Sequence, residues 1–155
     1  MYKIAFVEDE EDLNSLIKTY LEHEGYEVTS YLNGTDAIKD IDKNPDLWIL
    51  DIMLPGDISG YDIIKKIREK NDVVPVIFTS ARDEQLDKII GLELGSDDYI
   101  TKPYSPKELV LRVNNIIKRV YKNDNQKLVY NNYYIDTKKR IVTLNDKEIN
   151  LTTLE

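Results

Sequence analysis

Short apolar runs recur along the chain, separated by longer stretches of mixed polarity. They are KIAFVE, YEVTSY, LWILD, VVPVIFTS and DYIT, and they begin at Lys3, Tyr26, Leu47, Val73 and Asp98. Within these runs hydrophobicity is continuous rather than alternating, which is typical of strands that are buried on both faces of a parallel sheet. The pattern therefore predicts five parallel strands.

The stretches between the runs carry apolar residues at the three- and four-residue spacing of one helix face. Five helices are predicted, and their apolar positions are Leu13, Leu16, Ile17, Tyr20 and Leu21; Ala37 and Ile38; Ile63, Ile64 and Ile67; Leu86, Ile89 and Ile90; and Leu109, Val113, Ile116, Ile117 and Val120. Alternating strands and helices indicate a doubly wound α/β domain over residues 1–121, with a five-stranded parallel sheet. Ligands of such sheets bind beyond the carboxyl ends of the strands, so functional residues are expected there.

Charged and hydroxyl residues stand at four of these strand ends. Glu8 and Asp9 follow the first strand, Asp51 ends the third, Thr79 lies at the end of the fourth, and Lys102 follows the fifth. Taken singly, each acid could be a helix cap or a solvated loop residue. Together they supply a carboxylate nucleophile, oxygen ligands suited to Mg²⁺, and donors for phosphoryl oxygens. The set predicts transfer of a phosphoryl group to a carboxylate.

Four motifs extend this pattern over most of the chain: VEDEEDL, LDIMLPG, FTSA and GSDDYITKPYSPKEL. With them the domain resembles a CheY-like receiver of a two-component response regulator, and the whole chain resembles the start of an OmpR/PhoB-type transcriptional regulator. The resemblance implies that Asp51 accepts a phosphoryl group from a sensor histidine kinase. It also implies a signalling protein rather than an enzyme, one that assists its own phosphorylation and dephosphorylation.

The resemblance further implies a Mg²⁺ site and a phosphoryl-binding lysine. Asp9, Asp51 and the backbone carbonyl of Met53 would hold the ion, with Glu8 helping through water, and Lys102 would pair with the phosphoryl oxygens.

A switch is implied as well. Thr79 would move to bond a phosphoryl oxygen, and the ring of Tyr99 would then turn inward. The Lys102-Pro103 peptide is expected to be cis, an isomer that X-Pro bonds can adopt. One departure from the family pattern is the loop PGDISG, which is one residue longer than the usual P-G-x-D-G form and leaves the geometry near the metal open.

Six charged residues in the last third of the domain form a second pattern. They are Lys88, Asp97, Asp98, Glu108, Arg112 and Arg119. By themselves they could form a solvated, salt-bridged surface. In the OmpR/PhoB group, matching positions pair across a two-fold dimer: Lys88 with Glu108, Asp98 with Arg112, and Asp97 with Arg119. The resemblance thus implies a homodimer through the fourth helix, fifth strand and fifth helix, strengthened by phosphorylation.

The composition changes after Tyr121. Residues 122–127, KNDNQK, read as a polar linker, and residues 128–155 contain short β-type runs broken by turn residues. These runs resemble the opening sheet of a winged-helix DNA-binding domain. The final Thr152 and Glu155 have the spacing of a capping box at a helix start, so the sequence is expected to be cut short and promoter DNA to be bound only through the missing part.

Composition limits the partners and the compartment. The net charge is −8, and residues 1–121 hold 24 acidic against 15 basic residues, which argues against DNA as a direct ligand of this domain. No run approaches the roughly 18 apolar residues of a membrane span. The chain has no cysteine, and nothing in its first residues is typical of a signal peptide, so no membrane association and a cytoplasmic location are expected.

Three other functions were weighed against the receiver interpretation. A haloacid-dehalogenase-like phosphatase would have a second acid two residues after its nucleophile, where this chain has Met53. A flavodoxin-like carrier would have a Ser/Thr/Gly-rich phosphate loop after the first strand, where Glu8 and Asp9 would repel a phosphate. A GTPase would have a G-x-x-x-x-G-K-[ST] loop, which the sequence lacks.

Overall fold

The computed structural model of the protein describes residues 1–81, 89–91 and 93–122. Chain contacts divide the protein into two units, residues 1–113 and residues 114–155. The first unit contains all the strands described here and carries the candidate site. The predicted fourth helix is represented by helical residues 89–91 and 93, whereas Leu86 and Lys88 lie outside the described residues.

Besides helical residues 89–91 and 93, five strands and four helices make up the regular structure of the described residues. The strands are β1 Lys3–Val7, β2 Glu27–Tyr31, β3 Leu47–Asp51, β4 Val76–Ser80 and β5 Asp98–Thr101. The helices are α1 Glu11–His23, α2 Gly34–Lys39, α3 Gly60–Lys70 and a C-terminal helix Pro106–Ile117 that crosses the unit boundary. A 3₁₀ turn spans Ile41–Lys43, and a π-helical turn spans Lys118–Lys122.

The strands form one parallel sheet in the order β2-β1-β3-β4-β5. Chain order reverses between β1 and β3, because β2 lies on one side of β1 and β3 on the other. The carboxyl ends of β1 and β3 therefore flank the switch point where doubly wound sheets bind ligands. The predicted doubly wound, five-stranded parallel sheet is confirmed.

The two central strands β3 and β4 are buried along their whole length. On one face of the sheet, Trp48, Leu50 and Phe78 pack with Ile63 and Ile64 of α3 in the main apolar cluster. Burial of a side chain of this size stabilises the fold by about 1.5–3 kcal/mol. This layer fixes the position of Asp51, the last residue of β3.

Helix α1 is rotated relative to the predicted apolar face. Its buried residues are Asn14, Ile17 and Leu21, whereas Leu16 and Tyr20, predicted to face the core, are each 45% exposed. The apolar stripe of α1 is wider than the surface it covers. Two of its large side chains are consequently left at the surface.

Local caps begin α2 and α3 at defined residues. The side chain of Asn33 accepts the backbone N–H of Asp36, which starts α2. Ser59 and Asp62 form a reciprocal capping box that starts α3. Each cap satisfies backbone donors that a helix start leaves unpaired.

Arg68, near the end of α3, ties three loop segments together. Its guanidinium donates to the carbonyls of Asn71 at 3.2 Å, Val74 at 2.7 Å and Gly95 at 2.5 Å. It also lies 3.8 Å from a carboxylate oxygen of Asp97. Burial lowers the pKa of Arg68. The sequence analysis did not identify this residue, although it holds the turn that leads into β5.

The predicted linker and tail fall largely outside the described residues. Lys122, expected to be the first linker residue, still belongs to the π-helical turn. Residues 123–127 of the linker and the predicted sheet at 128–155 are not described. Among the described residues, no helix is long and apolar enough to cross a membrane.

Replacing Arg68 with Met should destabilise the fold, because three carbonyls lose a charged donor in a half-buried position. We expect a loss of about 2 kcal/mol in the free energy of unfolding, measured by urea denaturation. Lys66→Met, an exposed change in the same helix, is the matched control and should stay within about 0.5 kcal/mol of wild type. Equal stability of the two variants would show that the Arg68 contacts contribute nothing.

Candidate functional site

The site is built around Asp51, which the apolar strand β3 carries to the carboxyl edge of the sheet. Asp51 is only 2% exposed. One carboxylate oxygen lies 2.8 Å from the Lys102 ammonium, and the other accepts the backbone N–H of Met53 at 3.1 Å. Burial raises the pKa of Asp51, and the bond from Lys102 opposes that rise. The structure thus holds a carboxylate in a place that disfavours its charge unless a cation is near.

Glu8, at the end of β1, shares the same cation. It is fully buried, with one carboxylate oxygen 2.6 Å from the Lys102 nitrogen and the other accepting the backbone N–H of Glu10 at 3.0 Å. Burial raises the pKa of Glu8 as well, again opposed by Lys102. Burial alone would lower the pKa of Lys102, but its hydrogen bonds to Asp51 and Glu8 raise it. One ammonium therefore bridges the ends of β1 and β3.

The backbone around Lys102 holds the ammonium in place. The Lys102 N–H donates to the carbonyl of Ser80 at 2.7 Å, which continues the β4–β5 pairing beyond the strand. The Lys102-Pro103 peptide is cis, as the sequence predicted.

Asp9 completes an acidic cluster with Glu8 and Asp51. Carboxylate oxygens of the three residues all lie within 4.8 Å of one another, and Asp9 is exposed whereas the other two are buried. Three carboxylates against one ammonium leave an excess of negative charge. Oxygen ligands without His or Cys suit Mg²⁺, and the exposed Asp9 leaves a path for an ion to enter. The donor set fits the predicted metal.

Thr79 lies beside Asp51 in the neighbouring strand. The two residues are register partners in β3 and β4, and the Thr79 carbonyl accepts the N–H of Ile52 at 2.9 Å. The Thr79 hydroxyl is buried and has no hydrogen-bond partner among the described residues. A buried donor without a partner costs free energy, so this hydroxyl is available to an incoming acceptor.

The two remaining predicted residues of the site, Met53 and Tyr99, are more exposed than Asp51. The Met53 side chain is 55% exposed and its backbone lies in the loop after Asp51. Tyr99 pairs in register with Phe78, and its ring is half-buried against the main apolar cluster. The structure brings Glu8, Asp9, Asp51 and Lys102 into direct proximity, whereas Tyr99 lies in β5, two strands from Asp51.

The structure adds Asn14 to the site, a residue that the sequence analysis passed over. Its side-chain nitrogen donates to the carbonyls of Glu8 at 2.9 Å and Tyr31 at 3.1 Å, which joins α1 to the ends of β1 and β2. A signal was present, because Asn14 stands three and seven residues before the buried Ile17 and Leu21. A polar residue on an apolar helix stripe indicates a buried amide with specific partners.

Tyr104 is a second addition, two residues after Lys102. Burial, followed by the nearby charges of Glu8 and Asp51, raises the pKa of Tyr104. It lines a groove of about 530 Å³ beside Lys102, together with Leu13 and Leu16 of α1.

The predicted dimer residues have partners within the chain. Arg112 pairs with Asp98 at 2.9 Å through both carboxylate oxygens and with Glu108 at 3.4 Å. Asp97 accepts the N–H of Val76 at 2.8 Å and lies near Arg68. These contacts fit the salt-bridged surface that the charge pattern also allowed.

Two dimer residues are placed differently. Arg119 is exposed and belongs to the π-helical turn of the second unit. Lys88 lies outside the described residues, so the predicted pairs across a dimer stay predictions.

Comparison with known proteins identifies the family. The model of the response regulator receiver domain matches residues 4–114. The chain belongs to the response regulator receiver family.

The curated relatives of this chain include a transcriptional regulatory protein and a response regulator. The chain is 46% identical to transcriptional regulatory protein CssR of Bacillus subtilis over 99% of its own length and 70% of that relative. It is 39% identical to response regulator SaeR of Staphylococcus epidermidis over 96% of its length. The chain spans 66% of SaeR, so both relatives are longer than this sequence.

Solved structures place the receiver in the same group. Response regulator DrrB of Thermotoga maritima, described as an OmpR/PhoB homologue, is 34% identical with a TM-score of 0.71. The likeness covers 77% of this chain and 54% of DrrB. The predicted resemblance to OmpR/PhoB response regulators is confirmed.

Lys102→Met should destabilise the receiver at neutral pH, because it leaves two buried carboxylates without their cation. We expect a loss of about 3 kcal/mol in the free energy of unfolding, measured by urea denaturation in the presence of a chelator. Glu8 and Asp51 have raised pKa values, so the folded state takes up protons more readily than the unfolded state. The loss should therefore shrink as the pH is lowered to about 5.

The exposed Lys107 provides the matched control. Lys107→Met should leave stability close to wild type at both pH values. A deficit of Lys102→Met that did not change with pH would contradict the assignment of the destabilisation to these two carboxylates.

Proposed function

We propose that this response regulator accepts a phosphoryl group on Asp51 from a sensor histidine kinase. The observation that carries the proposal is the Lys102 ammonium 2.8 Å from a carboxylate oxygen of Asp51, in a buried cluster at the switch point of the sheet. An Asp51 carboxylate oxygen attacks the phosphorus of the phosphohistidine, the phosphorus–nitrogen bond breaks, and the imidazole leaves. The product is an acyl phosphate, and water later cleaves it to inorganic phosphate and restores the carboxylate.

Mg²⁺ is the proposed cofactor of this transfer. Asp9, Asp51 and the Met53 carbonyl are its proposed ligands, and Glu8 acts through water. The contacts of Glu8 support an indirect role, because the Lys102 ammonium lies 2.6 Å from one carboxylate oxygen and the Glu10 N–H donates to the other. A bound Mg²⁺ supplies positive charge that offsets the carboxylates and the phosphoryl oxygens.

Lys102 and Thr79 are the proposed partners of the phosphoryl oxygens. The Lys102 ammonium is already beside the reacting carboxylate, so it can keep its bond to Glu8 and turn toward a phosphoryl oxygen. The buried Thr79 hydroxyl gains an acceptor only if it moves toward the same group. We propose that this movement is passed to Tyr99, which lies in the neighbouring strand β5.

The surface beside the site supports a docking protein as the phosphoryl donor. The exposed Leu16 and Tyr20 of α1 lie on the same helix as the groove residue Leu13, and Lys102 lines that groove too. Exposed large apolar residues grouped around a reactive centre are typical of a protein-binding surface. The kinase domain that carries the phosphohistidine is the proposed occupant.

We propose that the protein acts as a signalling switch rather than as an enzyme with a separate substrate. Residues 1–121 form the proposed receiver, 122–127 the linker and 128–155 the start of a winged-helix domain. DNA binding is proposed to require a complete winged-helix domain. Phosphorylation is proposed to promote a homodimer through the fourth helix, β5 and the C-terminal helix.

Asp51→Asn should abolish phosphorylation by acetyl phosphate in the presence of Mg²⁺, because the amide is a poor nucleophile. The measurement is intact mass, in which wild type gains one phosphoryl group and Asp51→Asn gains none. Asp57→Asn, which changes an exposed acid in the adjacent loop, is the matched control and should be phosphorylated like wild type. Equal phosphorylation of Asp51→Asn and wild type would overturn the proposed function.

Arg112→Glu should weaken the phosphorylated dimer by about tenfold or more, since a like charge facing a carboxylate across the interface costs over 1 kcal/mol. The dissociation constant is measured by analytical ultracentrifugation after beryllium fluoride treatment. Lys107→Glu, an exposed reversal in the first turn of the same helix, controls for net charge. An unchanged dissociation constant for Arg112→Glu would rule out the proposed interface.

A further inference from the structure

The loop after Asp51 is closed at its base by tight backbone contacts. It runs from Ile52 to Gly60, and the Gly60 N–H donates to the Ile52 carbonyl at 3.1 Å. A Cβ on Gly60 would lie 2.9 Å from the Ile52 Cα, closer than real Cβ atoms approach. The start of α3 therefore sits directly against the backbone that follows Asp51.

A second close contact holds the other side of the loop. Ile58 is half-buried and packs on the main apolar cluster. A Cβ on Gly34, the first residue of α2, would lie 2.6 Å from the Ile58 Cγ2 and 2.9 Å from the Ile58 carbonyl oxygen. Only a glycine at position 34 leaves space for Ile58 in this position.

Helix preference does not account for Gly34. Glycine is less favourable than alanine inside a helix, so local propensity alone would select against it. The N-terminus of α2 is also fixed, since Asn33 caps the helix through the N–H of Asp36. Gly34 thus belongs to a fixed helix start that packs against the loop.

The residues of the longer loop PGDISG include the one that contacts Gly34. Asp57, Ile58 and Ser59 separate Gly56 from Gly60. Ile58 enters the space left by Gly34, and Ser59 stands in the capping box that starts α3. The segment Met53–Asp57 lies between the two contacts, and it contains the backbone carbonyl proposed as a Mg²⁺ ligand.

We propose that the contact between Gly34 and Ile58 positions the Met53 segment for metal binding, so that Gly34 and Ile58 are positioning residues of the site. The role in metal binding rests on the proposed function. The Met53 N–H is already bonded to Asp51. A displaced Ile58 shifts the segment that joins it to Met53 and thereby moves the Met53 carbonyl relative to the Asp51 carboxylate.

The test uses Gly34→Ala and two measurements on the unphosphorylated chain. Without metal, the backbone amide resonances of residues 52–54 should shift, because the added methyl group forces Ile58 away. In a calorimetric Mg²⁺ titration, the dissociation constant should rise about tenfold, as is usual when a residue supporting a metal ligand is lost. Adding Ile58→Ala to Gly34→Ala should recover part of the affinity, because the side-chain atom nearest the added methyl is removed.

Gly25→Ala is the matched control. Gly25 has a φ of +96° and lies between α1 and β2, at the opposite edge of the sheet from Asp51. This change strains the backbone without touching the loop. It should lower stability and leave the amides of residues 52–54 and the Mg²⁺ affinity unchanged.

The outcomes separate this inference from the proposed function. If Gly34→Ala shifts the loop amides no more than Gly25→Ala does, the positioning role is wrong. A wild type that binds no Mg²⁺ would overturn the proposed cofactor, while the amide shifts would still decide whether Gly34 and Ile58 hold the loop. Should Gly34→Ala fail to fold, Ile58→Ala alone, which only removes atoms, must shift the same amides more than Ile38→Ala does.

Discussion

One ammonium group shared by two buried carboxylates organises the functional edge of this protein. Lys102 lies 2.6 Å from Glu8 and 2.8 Å from Asp51, and these two acids end strands on either side of the sheet's switch point. Burial disfavours both charges, and Lys102 opposes that effect together with the backbone N–H groups of Glu10 and Met53. The arrangement is held by the fold and is electrostatically incomplete, which suits a site that takes up a cation and a phosphoryl group.

The scaffold around this group is built from backbone contacts rather than from further charges. Asn14 fixes the carbonyls that end β1 and β2, and Gly60 lets α3 begin against the peptide that follows Asp51. Such contacts are short and leave little room for adjustment. Rigid support of this kind keeps a reacting carboxylate and its partners in position before any ligand arrives.

The charged residues proposed for the dimer interface are arranged differently from those of the site. Arg112 is held by Asp98 and Glu108, and Asp97 by the Val76 N–H and Arg68. Four of the six groups proposed to pair between two copies are therefore engaged within one chain. Dimer formation through them would exchange one set of ion pairs for another, so its net gain would depend on apolar contact and geometry as well as on charge.

The linear pattern predicted the architecture and the residue types that meet at the site. Continuous apolar runs predicted the strands, and helical spacing predicted the helices. The residue types at the strand ends predicted that Asp9, Asp51, Thr79 and Lys102 lie close together. This worked because parallel strands bring their carboxyl ends to one edge, so chain position alone predicts proximity there.

Only the tertiary structure decided which partner each of these groups takes. The sequence assigned Glu8 to a metal site and Asp97 to a second protein copy, and the folded chain adds Lys102 and Arg68 as partners within the chain. It also turned Leu16 outward, buried Asn14 and set Ile58 against Gly34. These outcomes depend on ångström-scale distances between segments far apart in the chain, and residue type and spacing carry no record of such distances.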